Sequence, residues 1–235
     1  MRCVIFITLL ASLGMGCGRK CELPEPQSAS LMAPLEYEST VKVKIDSSFS
    51  PFQQLEIRQA VMQWNRFSDE KLRYAFFATE VATPTGADRP KNIGDCDFSG
   101  SSDSEFWILR EEDSGRWKSL GLTNSNPGVT IRCGSGSSIS QQVIFLNTSL
   151  VDPRQFVSVA LHELGHAVGL DHSCQLAGGS KDFVACGSVG SPHPYREAVM
   201  YPALRSILPL TGQPEKKEVL MGNDHERAAC LYGAQ

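Results

Sequence analysis

The chain has 235 residues, of which 41% are hydrophobic and 20% charged, a balance that excludes wholesale disorder. Lys and Arg number 22 against 26 Asp and Glu, and the net charge of −4 excludes nucleic-acid binding driven by a basic surface. No apolar run reaches the roughly 18 to 20 residues of a spanning helix, and eight cysteines point to disulfides and an oxidising compartment.

Residues 1–16 read as a secretory signal peptide: Arg2 supplies a positive start, Val4 to Leu13 is apolar, and Gly14 and Gly16 follow. Leu13-Gly14-Met15-Gly16-Cys17 resembles a bacterial lipobox, in which a Cys after small residues becomes the lipid-bearing N-terminus. It departs from the usual pattern in that Leu stands four places before the Cys and not three. The resemblance implies a lipoprotein cut before Cys17 and held to a membrane outside the cytoplasm by lipid on that residue. Residues 17–36, with Pro24, Pro26 and Pro34 and no periodicity, read as a tether. Cleavage removes Cys3 and lipid occupies Cys17, which leaves Cys21, Cys96, Cys133, Cys174, Cys186 and Cys230 and 15 possible pairings. Cys174 and Cys186 flank a Gly-rich loop and are the first pair expected; their spacing is not the Cys-x-x-Cys of a structural zinc site.

Residues 37–235 show no repeat and no second linker, and read as one domain. Tyr37 to Ile45 alternates and predicts a strand. Ser50-Pro51-Phe52-Gln53 predicts a helix start, with a Ser cap, Pro in the first position and Gln three residues on; Ile57, Ala60, Val61, Trp64 and Phe67 then recur at helical spacing. Leu72 to Ala78, Glu105 to Leu109, Leu120 to Thr123, Val129 to Cys133 and Gln142 to Asn147 read as strands, and 134–138 as a turn. Helices are predicted near Pro153 and near Asn223, the second with a capping box of Asn223 and Glu226. The order predicts an α+β domain with a mixed, twisted sheet, a long N-terminal helix, a helix carrying the site and a C-terminal helix.

The chemistry lies in His162-Glu163-Leu164-Gly165-His166-Ala167-Val168-Gly169-Leu170-Asp171-His172. On a helix His162 and His166 lie about 40° apart and one turn from each other, so both imidazoles reach one metal from the same face. Glu163 lies about 60° from His166, placed for a base acting on the metal's water and not for a ligand. Phe156, Val157, Val159, Ala160, Leu161, Leu164, Ala167 and Val168 make this helix apolar nearly all round and therefore buried. Gly169 suits a left-handed helix end, after which His172 returns as a third ligand. Three neutral imidazoles and one open position are the arrangement of a catalytic zinc.

This extended motif resembles the metzincin zinc-protease signature, and the stretch from Val159 to Ser173 resembles the matrixin branch, that of the matrix metalloproteases. Ala198-Val199-Met200-Tyr201-Pro202 resembles the matrixin Met-turn, a tight turn that places Met200 beneath the zinc, and Asp224 stands where the family has an Asp anchoring that turn from the last helix. Leu231-Tyr232-Gly233 is similar to the end of that helix. The resemblance implies a metzincin fold, one catalytic zinc on His162, His166 and His172, and a peptide or protein substrate bound by addition to an edge strand, expected at Leu120 to Thr123. It implies that zinc-activated water hydrolyses the peptide bond with Glu163 as general base, and that Tyr201 and Pro202 wall an apolar substrate pocket. The chain departs from the family in a long insertion at 173–199. It also has Gln142 to Asn147 where matrix metalloproteases carry the segment that holds structural zinc and calcium, which argues against a second zinc and puts calcium in doubt. In some metzincins a Tyr two residues after the Met binds zinc; that place is Pro202, so Tyr201 is not expected to be a ligand.

Arg132-Cys133-Gly134 is similar to the inhibitory Cys segment of matrixin propeptides, but it lies inside the domain and reads as half of a disulfide. His193 and His225 read as surface residues, His193 in a Pro-flanked loop at the cleft. The predicted function is an extracytoplasmic zinc endopeptidase. Its rivals are a non-catalytic zinc-containing binding lipoprotein of the same fold and a metal-dependent hydrolase of non-peptide amides.

Overall fold

The computed structural model describes residues 40–96, 98, 101–102, 104–135, 138–176, 184–190, 192–204 and 213–233. The signal segment, Cys17 and the tether expected at 17–36 lie outside them. β1 (Val41–Asp46) pairs in parallel with β2 (Phe77–Ala82) on one side and β3 (Glu105–Arg110) on the other. β5 (Ser138–Leu146) runs parallel to β3, and β4 (Gly128–Ser135) folds back antiparallel onto β5. The sheet order is β2-β1-β3-β5-β4, so β4 is an edge strand.

The middle of the sheet is buried on both faces, which is why Phe106 to Leu109 of β3 and Val143 to Leu146 of β5 read as unbroken apolar runs. Phe106, Ile108, Ile144 and Leu146 face one core together with the helices. Trp107, Leu109, Val143 and Phe145 alternate with them into a second core on the opposite face. α1 (Pro51–Leu72) begins at Ser50, whose Oγ accepts the Gln53 N–H while the Gln53 side chain accepts the Ser50 N–H. Its buried stripe of Ile57, Ala60, Val61, Trp64 and Phe67 packs on the sheet.

The chain then departs from the expected elements. No strand starts at Leu72: α1 runs to that residue and ends at Arg73, which adopts a left-handed φ of 68°. The Ser68 hydroxyl accepts the Phe76 N–H, and β2 begins only at Phe77. Leu120 to Thr123 is no strand either. It is the exit of a short helix, α2 (Ser114–Ser119), turned by Gly121 at φ 76° and closed by the Leu122 N–H on Trp117 O. Leu120 and Leu122 are apolar because they bury against Trp117 in the second core. The edge strand expected there is therefore absent, and the edges of the sheet are β2 and β4. The hairpin strands extend into the turn expected at 134–138, pairing Gly134 with Ile139 and Ser135 with Ser138.

Asp152 caps a 3₁₀ turn at Pro153–Gln155 that leads into α3 (Phe156–Ala167). α4 (Pro194–Glu197) is a single turn, and α5 (Gly222–Leu231) is the last helix. Its first turn is capped by Asp224 reaching back to the Met221 N–H, not by Asn223 and Glu226. Disulfides join Cys96 to Cys133 and Cys174 to Cys186, and Cys230 is also disulfide-bonded. Among the described residues no helix is long and apolar enough to cross a membrane.

The α1–α3 contact supports the site from behind. Trp64 is fully buried and its indole Nε1–H donates at 3.0 Å to the carbonyl of Leu161, the residue just before His162. Trp64→Phe removes that donor and some volume while keeping an aromatic plug. It is expected to lower stability by about 1–2 kcal/mol in urea denaturation.

Candidate metal centre

The centre starts from α3, where every residue but His162 is buried. Gly169 ends the helix at φ 99°. Its N–H donates to His166 O and the Leu170 N–H to Gly165 O, both at 3.0 Å, a Schellman closure. The chain thereby reverses and delivers His172. One ligand nitrogen from each of His162, His166 and His172 lies within 4.8 Å of the others, and among the described residues this is the one such His/Cys/Asp/Glu group.

The outer nitrogens decide what the inner ones can do. His162 Nδ1–H donates to Val199 O and His166 Nδ1–H to Leu170 O, both at 2.8 Å. This fixes the tautomers and leaves each Nε2 with a lone pair. The Nε2 atoms of His166 and His172 lie 3.2 Å apart. Burial pushes His162 down to about 3 and His166 well below its ordinary value, and it also lowers His172. Neutral imidazoles with convergent lone pairs are the form in which histidine binds a divalent metal, so the donor set fits one zinc.

Glu163 stands beside this group and is not part of it. Burial raises its carboxyl to about 7, against the Thr130 hydrogen bond and the Arg132 charge, which pull it down. Thr130 Oγ1 lies 2.7 Å from Glu163 Oε2 and 3.0 Å from Glu163 O. Arg132 Nη1 donates to His166 O at 3.1 Å and Leu170 O at 3.3 Å, closing the carbonyl end of α3.

The turn at Ala198–Tyr201 lies beneath. Met200 is fully buried, and a Cβ at Gly165 would run into its sulfur. Asp224 holds this turn: Oδ2 accepts the Val199 N–H at 2.8 Å and Oδ1 the Met200 N–H at 3.2 Å. The Ser173 N–H donates to Met200 O at 2.9 Å, which ties the turn to the segment after His172. Arg227 Nη2 donates to Asp171 O at 2.6 Å and braces the same segment from α5.

A cleft of about 650 Å³ runs between β4 and α3. Val159, Val199, Tyr201, Pro202, Ala203 and Leu204 line one part of it, and Arg132, Asp171 and the exposed Leu176 another. His193 does not line it; its Nδ1 accepts the Tyr195 N–H and caps α4. His225 is not a free surface residue either, since it lies half-buried against the Phe67 ring. Cys174–Cys186 packs with Val189, Tyr195 and Tyr201, so the insertion it closes buttresses the cleft wall. Gly128, Thr130, Arg132 and Arg227 carry contacts that the motif alone does not announce; the polar–apolar alternation of 129–133 is the one local signal for Thr130 and Arg132.

Asp224→Ala leaves the Val199, Met200 and Met221 N–H groups without their acceptor. It is expected to cost at least about 3 kcal/mol in denaturant unfolding. It is also expected to weaken metal binding in chelator competition, because Val199 O would no longer be held against His162.

No family model matches the chain, and no curated protein sequence matches it. Among solved structures the chain is similar to myroilysin at 12% identity and a TM-score of 0.38, over 88% of this chain and 97% of that one. It is similar, at the same identity and TM-score, to high choriolytic enzyme 1, a hatching enzyme zinc-protease from the medaka fish Oryzias latipes, over 88% of this chain and 96% of that one. A second myroilysin structure matches at 13% identity and a TM-score of 0.35 over 90% and 96% of the two chains. At these scores the likeness decides nothing about function, which rests on the residues themselves.

Proposed function

We propose that the chain is a zinc-dependent endopeptidase of the metzincin type, close to the matrixin branch, that works outside the cytoplasm. The observation that carries this reading is the convergence of three neutral imidazoles beside a buried carboxylate on the open edge of a sheet. His162, His166 and His172 would hold the metal through their Nε2 or Nδ1 lone pairs. Zinc bound there supplies Lewis acidity and a water acidified to near neutral pH. Glu163 is the general base, and later the proton donor to the leaving amine. Thr130 occupies Oε2, so Oε1 is the atom that handles the proton. Burial keeps this carboxyl near neutrality, where a group that must both take and return a proton works best. The substrate adds to the free edge of β4, and Tyr201, Pro202 and Leu204 receive an apolar side chain beside the scissile bond.

Glu163→Gln keeps size and hydrogen bonding while removing the base. Cleavage of a peptide library is expected to fall by about 10² to 10⁴, with zinc content and melting temperature near those of the parent protein. Loss of zinc in this variant defeats the role given to Glu163. Equal inactivity of both proteins with zinc in place favours the binding lipoprotein. Metal analysis is expected to find one zinc per chain, and His172→Ala is expected to weaken it more than His193→Ala.

We also propose that Cys17 is the mature, lipid-bearing N-terminus, supported by the lipobox resemblance and by disulfides that need an oxidising compartment. Mass spectrometry of the N-terminal peptide is expected to show lipid on Cys17; a free N-terminus elsewhere makes the protein secreted and unanchored.

A further inference from the structure

We infer that Gly128 and Thr130 of the edge strand β4 position Glu163, so that the strand proposed above to take the substrate also aims the base. The inference rests on the peptidase reading above. It starts from the alternation of β4: Ile131 and Cys133 turn into the second core with Val129 packed against it, while Thr130 and Arg132 turn towards α3. The polar face of the strand therefore lies against the helix that carries the base.

Two separate contacts constrain Glu163 from this face. Thr130 Oγ1 lies within hydrogen-bond distance of both the side-chain Oε2 and the main-chain O of Glu163. A hydroxyl has one proton, so it donates to one of them at a time. Donated to Oε2, the shorter of the two contacts, it ties the carboxylate to β4 and limits the rotation of a side chain with several free torsions. Gly128 acts by what it lacks. It is not among the residues with positive φ, so its backbone does not call for glycine. A Cβ there would come 2.8 Å from Glu163 Cγ and 2.8 Å from Oε1. Glycine at 128 is the room in which the carboxylate sits.

Both are positioning residues: they act through Glu163. Their substitution should move the carboxylate and leave the three imidazoles, which are held by Val199 O, Leu170 O and the 169–172 reversal, where they are.

The test uses the full chain with Gly128→Ala, Thr130→Val and Thr130→Ser. Its first readout needs neither metal nor turnover. Crystal structures of the metal-free proteins are expected to show the Glu163 carboxylate displaced by about 1 Å or more in Gly128→Ala and Thr130→Val, and restored in Thr130→Ser, with the histidines unmoved. A displacement of that size costs on the order of 10² in rate. With zinc bound, kcat on peptides is therefore expected to fall about 10²-fold in Gly128→Ala and at least about tenfold in Thr130→Val. KM and zinc content are expected to stay within about twofold, and Thr130→Ser is expected to recover most of kcat. An unmoved Glu163 in both Gly128→Ala and Thr130→Val overturns the inference. So does a rise in KM with kcat unchanged, which would make these residues substrate contacts. If the zinc-loaded parent protein cleaves no peptide, the peptidase reading falls, while the crystallographic comparison still decides the positioning.

Discussion

Two imidazoles on a helix buried along almost its whole length set the problem that the rest of the domain solves. A buried imidazole is tolerated only when its nitrogens have partners. Nothing on α3 itself supplies them, because each carbonyl of a helix interior already serves its own ladder. The partners come from later in the chain: Leu170 O for His166, past the helix end, and Val199 O for His162, in a turn that the chain reaches only after the disulfide-closed insertion. Once those outer bonds exist, the inner lone pairs have no remaining choice of direction. They converge, and a cation is the partner that three convergent lone pairs accept.

The turn and the segment that carries His172 are in turn braced by α5. Asp224, Arg227 and Tyr232 project from it and from its end towards three different places: the Val199 and Met200 amides, Asp171 O, and Val168 O. Each of these contacts goes to main chain, so each fixes a backbone position and not merely a side chain. Asp224 and Arg227 are fully buried, which raises the Asp carboxyl and lowers Arg227 to about 10. Burying charge is costly. Here it holds in one place three short segments that have little regular structure of their own.

Legibility in the sequence followed the range of the interaction. The spacing of His162 and His166, the ending at Gly169 and the Ser50 cap are contacts within a turn or two, and a periodic pattern shows them directly. Leu120 and Leu122 alternate like a strand but are buried by a short helix and a Gly121 turn, since two apolar residues two apart fit either structure. Asn223 and Glu226 have the residue types of a capping box, yet Asp224 caps instead, because it also meets amides at 199 and 200. Gly128 gave no sign for the same reason, and the alternation that puts Thr130 on a polar face did not say what that face meets. Their importance lies in what stands opposite, more than thirty residues away, and a single strand does not announce its neighbour.

The alternation of β4 also explains why its hold on Glu163 can be accurate. Side chains on a strand change face at every residue, so a slip of one place would bring Val129 or Ile131 against the Glu163 carboxyl and push Thr130 into the apolar core. That slip is opposed by the pairing of Val129 with Phe145 and Ile131 with Val143, by the burial of Ile131 and Cys133, and by the Cys96–Cys133 disulfide on the core face. The register that places Thr130 at 2.7 Å from Glu163 Oε2 is therefore enforced on the opposite side of the sheet from the site. A strand that exchanged hydrogen bonds with a peptide along its free edge would leave that register untouched, because the edge uses main-chain groups and the core face uses side chains. A peptide on that edge and the alignment of Glu163 would then occupy the same residues without competing for the same atoms.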